Sequence, residues 1–121
     1  MRKGISMARI IKNPQSNKSC PIATVQYLIS GKWKMIILFH LSQKTRRFNE
    51  LQRLCKEISQ PILTKQLRGL EDDGMVHREI YKEVPPRVEY SLTEMGCSFI
   101  PVLKTMGEWG KTYINSIEED E

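Results

Sequence analysis

The chain has 121 residues, 40% of them apolar, with 19 Lys and Arg against 14 Asp and Glu for a formal net charge of +5. That is enough for one modest core and too little for a second; the longest apolar runs, such as Met35 to Phe39, are too short to cross a bilayer, and the start lacks the apolar run and cleavage site of a signal peptide, which points to a cytoplasmic protein. Four of the acids are the terminal Glu118, Glu119, Asp120 and Glu121, so the rest of the chain sets 19 basic against 10 acidic residues, +9, a balance that suits a polyanionic partner.

Residues 1–18 hold Arg2, Lys3, Arg9, Lys12 and Lys18 and no acid. They read as a basic flexible arm, equally suited to DNA contact and to being an inert solvated tail. A single domain is expected over 19–117, followed by an acidic tail at 118–121.

At Cys20-Pro21 a helix begins: proline suits a first turn, and Ile22, Val25, Leu28 and Ile29 recur at helical spacing until Gly31. Trp33, Ile36, Ile37, Phe39 and Leu41 predict a second helix at the centre of the core. After the polar stretch Ser42 to Thr45, Asn49 and Gln52 have capping-box spacing and predict a third helix with Leu51 and Leu54 inward. Ser59-Gln60-Pro61 predicts the next N-terminus, with Leu63, Leu67 and Leu70 on one stripe and a stop at Asp73-Gly74. Two short helices so joined form a helix-turn-helix candidate.

Val76 to Lys82 and Val88 to Leu92 are short and rich in β-branched and aromatic residues, separated by Glu83 to Arg87 with its Pro85-Pro86 pair. They predict a β-hairpin with a stiff loop, the form of a wing. Thr93 should cap a long last helix carrying Met95, Phe99, Val102, Met106, Trp109 and Tyr113 at steps of four and three, which Pro101 should kink or split. The fold expected is mainly α with a small β-hairpin: a winged helix-turn-helix with N- and C-terminal dimerisation helices.

This order presents a basic surface to duplex DNA, because a helix fits the major groove and a hairpin loop reaches the adjacent backbone. With the leucine stripe buried, Gln60, Thr64, Lys65 and Arg68 face outward. Arg can read guanine, Gln can read adenine, and Thr and Lys can bond base edges or phosphates. Arg46, Arg47, Arg53 and Arg87 are candidates for phosphate positioning. Ile22 and Val25, with Phe99, Val102, Met106, Trp109 and Tyr113, form the expected dimer seam, which would present two reading helices to a palindromic operator. Tyr27, Trp33 and Trp109 read as core aromatics. A protein-binding winged helix is the alternative; it would need an apolar patch on the motif helix, which Gln60, Thr64, Lys65 and Arg68 argue against.

Cys20, Cys55 and Cys97 are widely spaced and odd in number, and with His40 and His77 they offer neither a disulfide framework nor a metal site. No catalytic signature stands out, and no cofactor is expected. Cys55 and Cys97 are expected to be buried and unreactive. Cys20 lies at a helix start beside Lys18, a placement that should lower its thiol pKa. A thiol enzyme built on Cys20 would lack a partner histidine in a recognisable context.

The run from Cys20-Pro21 through Gly31-Lys32-Trp33, Arg47-Phe48-Asn49-Glu50-Leu51, Ile58-Ser59, Leu63-Thr64, Leu67-Arg68-Gly69-Leu70-Glu71, Asp73-Gly74, Pro85-Pro86-Arg87-Val88-Glu89-Tyr90 and Leu92-Thr93 to Gly96 resembles the HxlR-type family of winged helix-turn-helix transcription regulators, related to the MarR type. The resemblance implies a dimeric repressor or activator whose helix from Gln60 to Asp72 enters the major groove. It also implies that Cys20 is the position where some members sense oxidants or electrophiles, and it leaves room for a small-molecule or oxidant effector. Glu57 stands where members often carry glycine, so the motif's turn is made without the residue best suited to positive φ.

Overall fold

The computed structural model describes residues 20–119; the basic arm at 1–18 and the last two acids lie outside the described residues. Pro21 opens α1 (Pro21–Leu28), and Gly31, at φ +95°, turns the chain into α2 (Lys34–Gln43). Ile37, Leu38 and Leu41 of α2 are buried at the centre of the core. The expected α2 core set is corrected at Ile36 and Phe39, which are 40% and 49% exposed, while Lys34 is 7% exposed. A helix apolar on several faces can bury one of them and leave another bare.

A two-residue strand, β1 (Arg46–Arg47), precedes α3 (Phe48–Leu54). The expected Asn49–Gln52 capping box does not form. The cap falls two residues earlier, at Arg47, whose backbone N–H donates to Glu50 Oε1 at 3.1 Å. Gln52 Nε2 instead donates to the Ile58 carbonyl, closing the turn that leads to α4 (Gln60–Asp72).

Ser59 Oγ caps α4 by accepting from the Ile62 N–H at 3.3 Å, and Pro61 occupies its first turn. Leu63, Leu67 and Leu70 are each at most 1% exposed, so the predicted stripe fixes the helix's rotation. Gly74, at φ +77°, ends the segment in the left-handed conformation that glycine adopts without strain.

The hairpin is β2 (Val76–Tyr81) and β3 (Arg87–Leu92), antiparallel with Val76 opposite Leu92 and Tyr81 opposite Arg87. β1 joins its other edge, Arg46 facing Tyr90, to give the order β1-β3-β2. Thr93 Oγ1 accepts from the Gly96 N–H at 3.0 Å, capping α5 (Glu94–Ser98), and donates to the Gly74 carbonyl. A Cβ on Gly96 would collide with the Met75 carbonyl oxygen, so only glycine permits this approach. As Pro101 predicts, the last helical stretch is split: Phe99 separates α5 from α6 (Ile100–Glu119), whose final residues include Glu118 and Glu119.

Candidate nucleic-acid interface

With α4 held by its leucines, Gln60, Lys65 and Arg68 are exposed on its outer side. Gln60, Thr64 and Arg68 stand on successive turns, separated by about 6 Å of helix rise, near the span of two base-pair steps of about 3.4 Å. Thr64 is half-buried and its hydroxyl donates to the Gln60 carbonyl at 3.0 Å, so toward a ligand it offers a lone pair and a methyl group.

The four arginines expected around this helix differ in what they touch. Arg53 is exposed in the last turn of α3, and Arg47 is largely exposed with Nε 3.9 Å from Glu89. Arg46 is taken up internally: Nε donates to the His40 carbonyl at 3.2 Å and a terminal nitrogen donates to Gln43 Oε1 at 2.8 Å, leaving 13% of the side chain exposed. It fastens β1 to the end of α2.

Arg87 likewise lies 3.0 Å from Glu83 and 3.7 Å from Glu89, with its guanidinium 4.1 Å from the centre of the Tyr81 ring. It clamps the base of the wing. Lys82, read from the sequence as the end of a strand, is an exposed cation in the wing loop. Lys32 is another cation that the sequence reading passed over: it is 3.9 Å from Glu57 and lies over the Trp33 ring, beside the α3–α4 turn. Its signal was a glycine-turn lysine, which by itself resembles any solvated charge.

Electrostatics tighten the support beneath this surface. The Arg47 backbone N–H, with smaller contributions from Lys44, Arg46 and Arg53, holds the Glu50 carboxyl below the usual range, so it stays ionised at the helix start. Burial, and then the charge of Arg46, lowers the pKa of His40, keeping that imidazole neutral under the motif.

The residues expected at a dimer seam lie on α1, at the α5–α6 junction and along α6. Ile22, Val102, Met106, Trp109 and Tyr113 are exposed, whereas Val25 and Phe99 are half-buried. Trp109 is 66% exposed and stacks on Tyr113 at 5.5 Å, which corrects its reading as a core aromatic; Tyr27 is buried, and Trp33 packs against the core. An apolar groove of about 370 Å³ runs between α1 and the α5–α6 junction. A second, of about 650 Å³, runs between α2 and α6 beside Ile36, Phe39, Met106 and Trp109.

Cys20 is half-buried at the N-cap of α1, and its thiol makes no capping bond. Cys55 is buried at the end of α3, where burial raises its thiol pKa. Cys97 is exposed on α5, contrary to expectation, because Gly96 rather than Cys97 occupies the packed side of that short helix. Among the described residues no group of three or more His, Cys, Asp and Glu could hold a metal ion, and no helix is long and apolar enough to cross a membrane.

A family model described as HxlR-like helix-turn-helix matches residues 28–118. The HTH-type transcriptional regulator YdeP of Bacillus subtilis (strain 168) is 50% identical over 102 residues, spanning 84% of this chain and 80% of that protein. Among solved structures, the redox regulator HypR in its reduced form is 47% identical at a TM-score of 0.78, with 83% of this chain and 99% of that one covered. Its oxidized form is 50% identical at 0.73, covering 77% and 96%. The reduced form of the transcriptional regulator YodB from B. subtilis is 30% identical at 0.68, covering 78% and 93%, and its diamide-treated form is also 30% identical, at 0.65, covering 78% and 94%.

Proposed function

The chain belongs to the HxlR-like helix-turn-helix family of transcriptional regulators, and from that premise we propose that it is a cytoplasmic repressor that binds a palindromic operator as a homodimer. The observation that carries this reading is the outer side of α4, where Gln60, Lys65 and Arg68 stand free of the core over a rigid leucine-packed base. In the reading, α4 lies in the major groove, Arg68 and Gln60 contact base edges, and Lys65, Arg47 and Arg53 contact phosphates. Arg46 and Arg87 act one step back, holding β1 and the wing in position. The seam residues of α1 and α6 join two protomers, which spaces the two reading helices for half-sites about one duplex turn apart.

Fluorescence anisotropy on the duplex upstream of the protein's own gene and on a shuffled duplex, across a salt series, tests this. Tighter binding to the native duplex with a steep salt slope is expected; equal binding to both at physiological salt overturns sequence-specific regulation at that site.

Redox response through Cys20 belongs to the same proposal. Its support is the uncapped, partly accessible thiol at the start of the seam helix, together with the likeness to HypR and YodB. Addition of the Cys20 thiol across a ring C=C of a quinone or the N=N bond of diamide, the π bond giving way to a bond to Sγ and one to the thiol's proton, would alter the seam and release DNA. Cys20→Ser should bind DNA like the parent protein and lose release by either reagent; release that persists in the variant removes Cys20 from the mechanism.

A further inference from the structure

Among the described residues, the flank of α4 that turns away from the sheet is left open. There Thr64, Lys65 and Arg68 face Ser30, Gly31 and Lys34 across an open notch of about 580 Å³. The other flank of α4 is closed, tied to β2 where Arg78 Nε lies 3.4 Å from Glu71. The notch has three cations in its wall, Lys34, Lys65 and Arg68, against one carboxylate, Asp72, at the end of the helix. Lys34 is only 7% exposed and is engaged within the protein, so it shapes the wall rather than offering a free donor. On the facing side Gly31 has nothing within 4 Å of where a Cβ would be, so a bulky ligand can come close to that turn.

We infer that this notch is a phosphate-binding site that receives one DNA backbone strand while α4 occupies the neighbouring major groove. The inference rests on the DNA-binding reading above and extends it to residues on the α1–α2 turn. A helix about 10–12 Å across fills a major groove about 12 Å wide, so the strands bounding the groove must pass along its flanks. On the sheet flank Arg47 and the wing are available; on the other, among the described residues, the lining is this notch, with the Ser30 hydroxyl and the Lys65 ammonium as donors. Asp72 limits the site, since its carboxylate repels the same phosphates.

The test uses the intact protein, a fluorescein-labelled duplex of the upstream region and a mixed-sequence duplex, between about 50 and 200 mM salt. Ser30→Glu should weaken binding to both duplexes about five- to tenfold and make the salt slope shallower by about one, the mark of a lost phosphate contact. Ser30→Arg and Asp72→Asn should each tighten binding to both, a gain that mere damage to the fold would not produce. Asn115→Glu, with the same charge change at a distant exposed position of α6, should match the parent. Ser30 variants and Asp72→Asn that all match Asn115→Glu overturn the notch while leaving the DNA-binding reading intact. A parent protein that binds neither duplex overturns both.

Discussion

Around α4 the exposed side chains are mostly polar, Gln60, Lys65, Arg68 and Asp72, with Ile62 the one large aliphatic among them, whereas α6 exposes the large apolar Val102, Met106, Trp109, Tyr113, Ile114 and Ile117 beside its polar residues. Both helices bury leucines, but their outer surfaces differ in kind. A polar, cationic surface loses little by facing water and gains when it meets a polyanion. An apolar stripe with flanking grooves costs free energy for as long as it stays wet, and is stabilised by covering with another protein surface. The comparison teaches that the kind of partner can be read from which class of side chain each helix leaves outside.

The sharpest way to break this contrast is Trp109→Glu. It should convert a dimer to monomers in sedimentation equilibrium and weaken binding to a palindromic duplex about 10²- to 10⁴-fold, the avidity lost when two linked sites become one. An unchanged mass would mean that the α6 stripe joins nothing.

Gly96→Ala attacks the joint between the two regions. The new Cβ meets the Met75 carbonyl, and overpacking of this kind costs about 1–3 kcal/mol, to be read from urea unfolding. A variant as stable as the parent would show that the joint gives way easily.

Arg68→Ala should cost about 1–3 kcal/mol of affinity and relax preference at one base pair, without changing oligomeric mass. A loss equal on native and shuffled duplexes would move Arg68 from base reading to phosphate contact.

The smallest effect is expected at His40. Its folded pKa is lowered from 6.5, so the unfolded chain binds the proton more readily, and stability is full above the unfolded value and falls as pH drops through the folded one. His40→Gln should flatten that dependence in unfolding midpoints measured between pH 5 and 7; an unchanged profile would assign it to other groups.

Much of the fold was legible because its signals are local. Ser59 and Thr93 cap where their spacing said, the Leu63-Leu67-Leu70 stripe is buried, and Pro101 divides the last helical stretch. The misses required tertiary knowledge. A two-residue strand has no periodicity, so β1 could not be seen before Tyr90 and Glu89 were in place to pair with it. The Asn49–Gln52 spacing was outcompeted by Glu50 reaching the Arg47 amide, while Gln52 was drawn to Ile58.

The candidate recognition set was partly legible for the same reason. Gln60, Lys65 and Arg68 follow from the stripe on their own helix, but whether Arg46 and Arg87 are free depends on partners elsewhere in the chain, His40 and Gln43 in one case and Glu83 and Glu89 in the other. Cys97 was misplaced because a helix of five residues is too short for its sequence to say which side packs.

The seat of α5 against the start of β2, where Thr93 bonds to Gly74 and Gly96 abuts Met75, also determines a distance far from itself. The 20 residues of α6 extend outward from it, a rod of about 30 Å at 1.5 Å per residue. A tilt of about 5° at such a base carries the far end of the rod through roughly 2.6 Å, most of one base-pair rise. The seat is therefore the fulcrum of a lever, and a change of one methyl group there is magnified at the outer turns of α6 into a displacement comparable to a step along a duplex.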